Sequence, residues 1–178
     1  MRRVMIDIET MATCNNAAIV AIGACAFDLE GLGEEFTALI DTASASAHGA
    51  VQRHTMEWWA SQSEEVRDRM FGGKEPAEDA AERLLGFFKA ARADEVWANS
   101  PTFDCVILRN WFDEFDMNAP WHYRQERCVR TIYAIANSLK GIDVGAGYSE
   151  SGAHDANVDA RNQARAVTIA LKGLGVEK

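Results

Sequence analysis

Apolar and polar side chains alternate along "VMIDIE" near the start of the chain. Val4, Ile6 and Ile8 share one side and Met5, Asp7 and Glu9 the other, the period of a strand. The apolar, β-branched run "AAIVAIGACAF" predicts a second strand, closed by a turn near Gly31. "EEFTALID", with Phe36, Ala38 and Ile40 set against Thr37 and Leu39, predicts a third, completing a meander. "TASASAHGA" is small and polar and reads as a loop. Thr55 and Ser63 are placed to cap two short helices, in "TMEWWASQ" and "SEEVRDRM". Pro76 opens a longer helix whose apolar side carries Leu84, Leu85, Phe87 and Phe88. "DEVWANS" reads as a short strand, and Phe103, Ile107, Leu108 and Trp111 recur at helical spacing behind it. A small element around "RCVRTIYAIANSL" follows. "KGIDVGAGYSESGA", with four glycines, is expected to be the loosest stretch, and a final helix runs through "DANVDARNQARAVTIALKGLG".

Three strands, helices, a strand, a helix and a last helix predict an α/β domain, its mixed sheet covered by helices. No repeat or long linker divides residues 1–178, so one domain is expected. No apolar run approaches the ~18 residues a membrane span needs, so no membrane partner is expected. No apolar stretch of the signal-peptide kind follows Arg2 and Arg3. Cys14, Cys25, Cys105 and Cys128 are irregularly spaced, which fits reduced thiols in a cytoplasm better than disulfides or a zinc site.

The formal net charge of -9 argues against a protein that grips a long polyanion by many phosphate contacts. It fits better an enzyme that holds a short end through metal ions.

That charge bears on Asp7 and Glu9, adjacent and pointing the same way on a strand that is otherwise apolar. Either the strand is an edge with a solvated acidic face, or the two acids hold metal. Asp104 stands just past a strand end, where a helix opens. Asp159 stands in the first turn of the last helix, with Asp155 a turn before it on a shared face. Four convergent carboxylates repel one another unless hard cations lie between them. Two magnesium or manganese ions about 4 Å apart would activate a water and stabilise the leaving oxygen of a phosphodiester.

With these residues the chain resembles the DEDDh-type 3'-5' exonucleases of the DnaQ-like, ribonuclease H-like superfamily. "DIET" matches the first motif at Asp7 and Glu9. "NSPTFDCVIL" matches the second at Asp104. "HDANVDA" matches the third, H-x-x-x-x-D, at His154 and Asp159. "TMEWWASQ" and the stretch from Pro120 to Thr131 are similar to the mycobacterial and phage 3'-5' exoribonuclease group. The resemblance implies a ribonuclease H-like fold with the first three strands antiparallel. It also implies two Mg2+ ions, with Mn2+ as a substitute, held by Asp7, Glu9, Asp104 and Asp159. Single-stranded 3' ends would be the substrate and nucleoside 5'-monophosphates the product, and a homodimer is suggested by the same analogy. Among Asp155 and Asp159 the motif selects Asp159, leaving Asp155 as a helix cap.

His154 and Asp159 would fall on different faces of one continuous helix, so both face the metals only if His154 precedes the helix. In that position His154 is a candidate general base, expected to lie away from the metals until substrate binds. Of Trp58 and Trp59, about 100° apart on a helix, one packs inward while the other stacks a base. Thr10 belongs to the first motif, and Met11 and Phe103 flank acidic motifs as candidate walls for the terminal nucleotide, with core packing the stronger reading for Phe103. Arg130, Arg161 and Arg165 are candidate phosphate contacts or, equally, surface ion pairs. RNA is the preferred substrate and single-stranded DNA the rival, because no motif reports the 2'-hydroxyl. A catalytically silent binding module is the remote alternative.

Overall fold

In a computed structural model that describes residues 1–152 and 154–177, the first three strands form the expected meander. They are β1 (Arg3–Thr10), β2 (Ile19–Phe27) and β3 (Leu32–Leu39), paired antiparallel. Two short strands, β4 (Glu95–Ala98) and β5 (Glu126–Cys128), extend the sheet in parallel on the other side of β1, giving the order β3-β2-β1-β4-β5. β1 therefore lies at the centre of a mixed sheet, not at its edge. Central strands are covered on both faces, so their acids need a partner other than open water.

Alternation sorts β1 between two cores. Val4, Ile6 and Ile8 pack with Ile22 of β2, with Leu84 and Phe88 of α4 (Ala77–Ala91), and with Ile107, Leu108 and Phe112 of α5 (Asp104–Glu114). On the other face Met5 packs with Cys25 and Trp97. The helices there are α6 (Val129–Lys140), through Val129, and α7 (Ala156–Gly173), through Ala160, Ala164 and Val167. Each large apolar side chain buried in this way contributes about 1.5–3 kcal/mol. Asp7 and Glu9 share Met5's face and so point toward α7.

The structure corrects several local expectations. "TASASAHGA" is not all loop: α1 (Thr42–Ala47) forms because Asp41 accepts the Ser44 N–H, Ser46 bonds back to the Thr42 carbonyl, and Ala45 is buried. α2 (Arg53–Ala60) starts before Thr55, which lies inside its first turn. Gln52 stands at the cap position but does not cap, because its amide oxygen accepts hydrogen bonds from Thr13. Ser63 does cap α3 (Glu64–Phe71), accepting from the Val66 N–H. The small element after α5 is larger than expected, a strand followed by a twelve-residue helix.

The glycine-rich stretch packs more closely than its composition predicts. Gly147 is buried against α7, and a Cβ there would meet the Ala166 nitrogen at 2.4 Å. Glu150 bonds Asn162 through its backbone N–H and carbonyl and pairs with Arg161 and Arg165 through its carboxylate. Among the described residues no helix is long and apolar enough to cross a membrane.

Candidate active site

Asp7 lies opposite Gly23 of β2 in the antiparallel register. A Cβ on Gly23 would fall 2.1 Å from the Ala156 carbonyl carbon, so the first turn of α7 rests directly on the sheet. This contact carries Asp159 over the strand. One carboxylate oxygen each from Asp7, Glu9 and Asp159 lies within 4.8 Å of the others. Asp104, 4% exposed at the start of α5, lies outside that trio but lines the same cleft, of about 460 Å³. Its carboxyl lies by the Ile8 backbone of β1, which favours the charged form.

The electrostatics follow from burial. Burial first, then the charges of Asp159 and Asp104, push Glu9 up to about 8, with Arg69 opposing. Burial pushes Asp104 up to about 7 against its backbone hydrogen bonds and Arg130. Asp7 is raised well above the usual carboxylate range by burial, Asp104 and Glu9, while a hydrogen bond from Gln163 works the other way. Burial also raises Asp159, and His154 lowers it. Arg69, Arg130 and His154 oppose these rises without cancelling them. An all-oxygen, anionic and convergent donor set fits a hard divalent cation.

α7 begins at Ala156, and Asp155 caps it by accepting from the Asn157 and Val158 N–H groups. His154 thus precedes the helix, in the left-handed region with φ 55°. Its Nδ1 lies 4.0 Å from Glu9 Oε1, and its ring meets Trp58 at 4.8 Å and Trp59 at 5.8 Å, both edge to face. The expectation that His154 stays away from the acids is therefore corrected. The two indoles form a wall beside the imidazole, which lies against Glu9.

The candidate substrate contacts divide. Trp58 is 43% exposed, whereas Trp59 is buried and donates its Nε1–H to the Thr10 carbonyl, so Trp59 cannot stack a base. Thr10 is buried too, its hydroxyl committed to the Ala12 carbonyl, and Met11 belongs to the core, so neither walls the cleft with its side chain. Phe103 is half-buried; it both lines the cleft and packs on the core. Arg130 is exposed at the cleft and donates to the Ser100 hydroxyl at 2.6 Å. Arg161 and Arg165 are held in ion pairs with Glu35 and Glu150, the surface-pair reading. Sequence reasoning missed Tyr148, exposed at the cleft, and Gln163. Only Gln163 left a signal, standing four residues after Asp159 on one helical face.

An antiparallel three-strand unit extended by two parallel strands, with acids on β1 and at the starts of two flanking helices, has the DnaQ-like, ribonuclease H-like fold. The chain belongs to the family described as the 3'-5' exoribonuclease Rv2179c-like domain, whose model matches residues 2–171. That family implies dependence on a divalent metal. The chain is 28% identical over 119 residues to the exodeoxyribonuclease of Enterobacteria phage T4, covering 58% of this chain and 52% of that protein. Its fold is similar to E. coli exonuclease I in complex with a 5cy-dA13 oligonucleotide, with a TM-score of 0.68 and 15% identity over 96% of this chain and 40% of that one. It is also similar to cell-death related nuclease 4, with a TM-score of 0.69 and 14% identity over 98% and 64%. The chain thus spans about half the length of the phage relative and two fifths of exonuclease I.

Proposed function

We propose that this protein is a metal-dependent 3'-5' exoribonuclease that removes 5'-mononucleotides from single-stranded RNA. The observation that carries the reading is the convergence of Asp7, Glu9 and Asp159 within 4.8 Å, with Asp104 in the same cleft and His154 beside Glu9. In this reading the four carboxylates hold two Mg2+ ions, or Mn2+ in their place. When bound, such a pair lowers the pKa of an attacking water and stabilises the charge on the departing oxygen.

The chain's own groups do the rest. His154 takes the proton of the attacking water as its oxygen bonds to phosphorus. The phosphorus–O3' bond breaks, the shortened strand keeps its 3'-oxygen, and the terminal residue leaves as a nucleoside 5'-monophosphate. Phe103 and Arg130 flank the end of the strand, and Trp58 stacks one of its bases.

RNA is preferred because the family's own description names an exoribonuclease. The DNA reading is favoured by a different observation, the similarity to a phage exodeoxyribonuclease. One degradation assay separates them. RNA and DNA oligomers of one sequence, labelled at the 5' end, are incubated with Mg2+, Mn2+ or EDTA. The expected result is stepwise shortening from the 3' end, 5'-monophosphate products, faster loss of RNA and no reaction in EDTA. Faster loss of DNA would move the substrate to DNA, and cleavage of a circular single strand would overturn the exonuclease reading.

A further inference from the structure

Gln163 stands one turn beyond Asp159 on α7 and is 4% exposed. Its Nε2 donates to Asp7 Oδ1 at 2.9 Å, while its Oε1 is buried with no hydrogen-bond partner among the described residues. The amide is oriented by Asp7, since the flipped form would set two oxygens against each other. Packing does not call for an amide here. The neighbouring core positions on α7 are Ala160, Ala164 and Val167. A methionine would fill similar volume beside them without leaving a carbonyl unbonded, and an unbonded buried carbonyl costs stability. The group that gains from the amide is Asp7.

We propose that Gln163 is a positioning residue for metal binding: its amide fixes Asp7 through one carboxylate oxygen and leaves the other for the cation. The unbonded Oε1 remains as an acceptor that no described residue satisfies, open to a donor such as a water brought in with the metal. Groups that orient ligands in this way set metal affinity without touching the ion. The inference rests on the reading of Asp7 as a ligand, and the experiment separates the two.

Mn2+ binding is measured by electron paramagnetic resonance on the intact chain and on Gln163→Met, Gln163→Asn and Asp7→Asn. Unfolding of each is followed in EDTA. Gln163→Met is expected to weaken Mn2+ binding about 10–100-fold, with Tm in EDTA unchanged or raised. A merely structural glutamine would instead lower Tm and leave affinity alone, which would overturn the proposal. If Gln163→Met does not fold, Gln163→Asn decides. It keeps an amide but draws it back from Asp7, and wild-type affinity in that variant would count against the role. Asp7→Asn with unchanged Mn2+ binding would remove the ligand reading itself, whatever the glutamine variants do.

Discussion

Glu9 Oε1 and His154 Nδ1 lie 4.0 Å apart, although one stands near the start of the chain and the other near its end. Glu9 is fixed by its strand. His154 is fixed by three things: the cap of α7 at Asp155, a left-handed backbone and an edge-to-face wall of two indoles. A base held by its own protein contacts has little reorganisation left to make. His154→Ala is expected to lower kcat by about 10²–10⁴ while Mn2+ affinity stays near wild type, because the histidine is not a ligand. Single-turnover kinetics and a metal titration check this. Loss of metal binding in the variant would contradict it.

Trp58 and Trp59 should part company under mutation. Trp58→Ala removes an exposed ring, so KM should rise by an amount worth about 1–3 kcal/mol, with little change in thermal stability. Trp59→Phe takes away the N–H that serves the Thr10 carbonyl, which should cost about 1–3 kcal/mol of stability as a buried acceptor loses its donor. Chemical denaturation of both variants, beside KM for a short oligomer, tests the pair. A rise in KM from Trp59→Phe without loss of stability would reverse the assignment.

Gly23→Ala probes the contact that seats α7. The new methyl group would fall 2.1 Å from backbone of Ala156, which has no flexible end to give way. The helix start must lift, and Asp159 with it. Metal affinity should therefore drop further than global stability does, a comparison that titration and thermal unfolding make directly. Wild-type affinity in this variant would show that the trio does not depend on the close approach.

Asp7 and Glu9 were legible because side chains on a strand alternate, so a pair two apart must face together whatever the tertiary structure does. Central placement of β1 was not legible: an edge strand has the same period, and only pairing with both β2 and β4 decides. Asp104, Asp159 and His154 could be named by resemblance, but the approach of Asp159 and His154 to β1 depends on Gly23 meeting Ala156, a contact that no local pattern encodes. Tyr148 was lost for a related reason. A stretch of glycines reads as loose, yet Gly147 is what lets it lie against Ala166 and present the tyrosine at the cleft. Polarity alone made α1 look like a loop, because its serines are spent on hydrogen bonds within the protein, Ser46 to the Thr42 carbonyl and Ser44 from the distant Ala77 N–H.

The acids also dictate how stability responds to pH once metal is removed. Glu9 is pushed up to about 8 from 4.5, and Asp104 to about 7 from 3.8. Between those limits the folded protein binds more protons than the unfolded chain, so unfolding releases protons and stability must fall as pH rises. In EDTA, Tm should hold near pH 4.5 and decline toward pH 8, the opposite of the usual gain when paired carboxylates ionise. Divalent cation competes with the protons for the same oxygens. Added Mg2+ or Mn2+ should raise Tm most at the alkaline end, and each ion bound there should displace protons detectable in weak buffer. Asp7→Asn removes one of the repelling charges, so its EDTA curve should be flatter, with no recovery on adding metal. A Tm in EDTA that climbs steadily from pH 5 to pH 8 would mean that the carboxylates ionise without strain and that the cluster is not built around a cation.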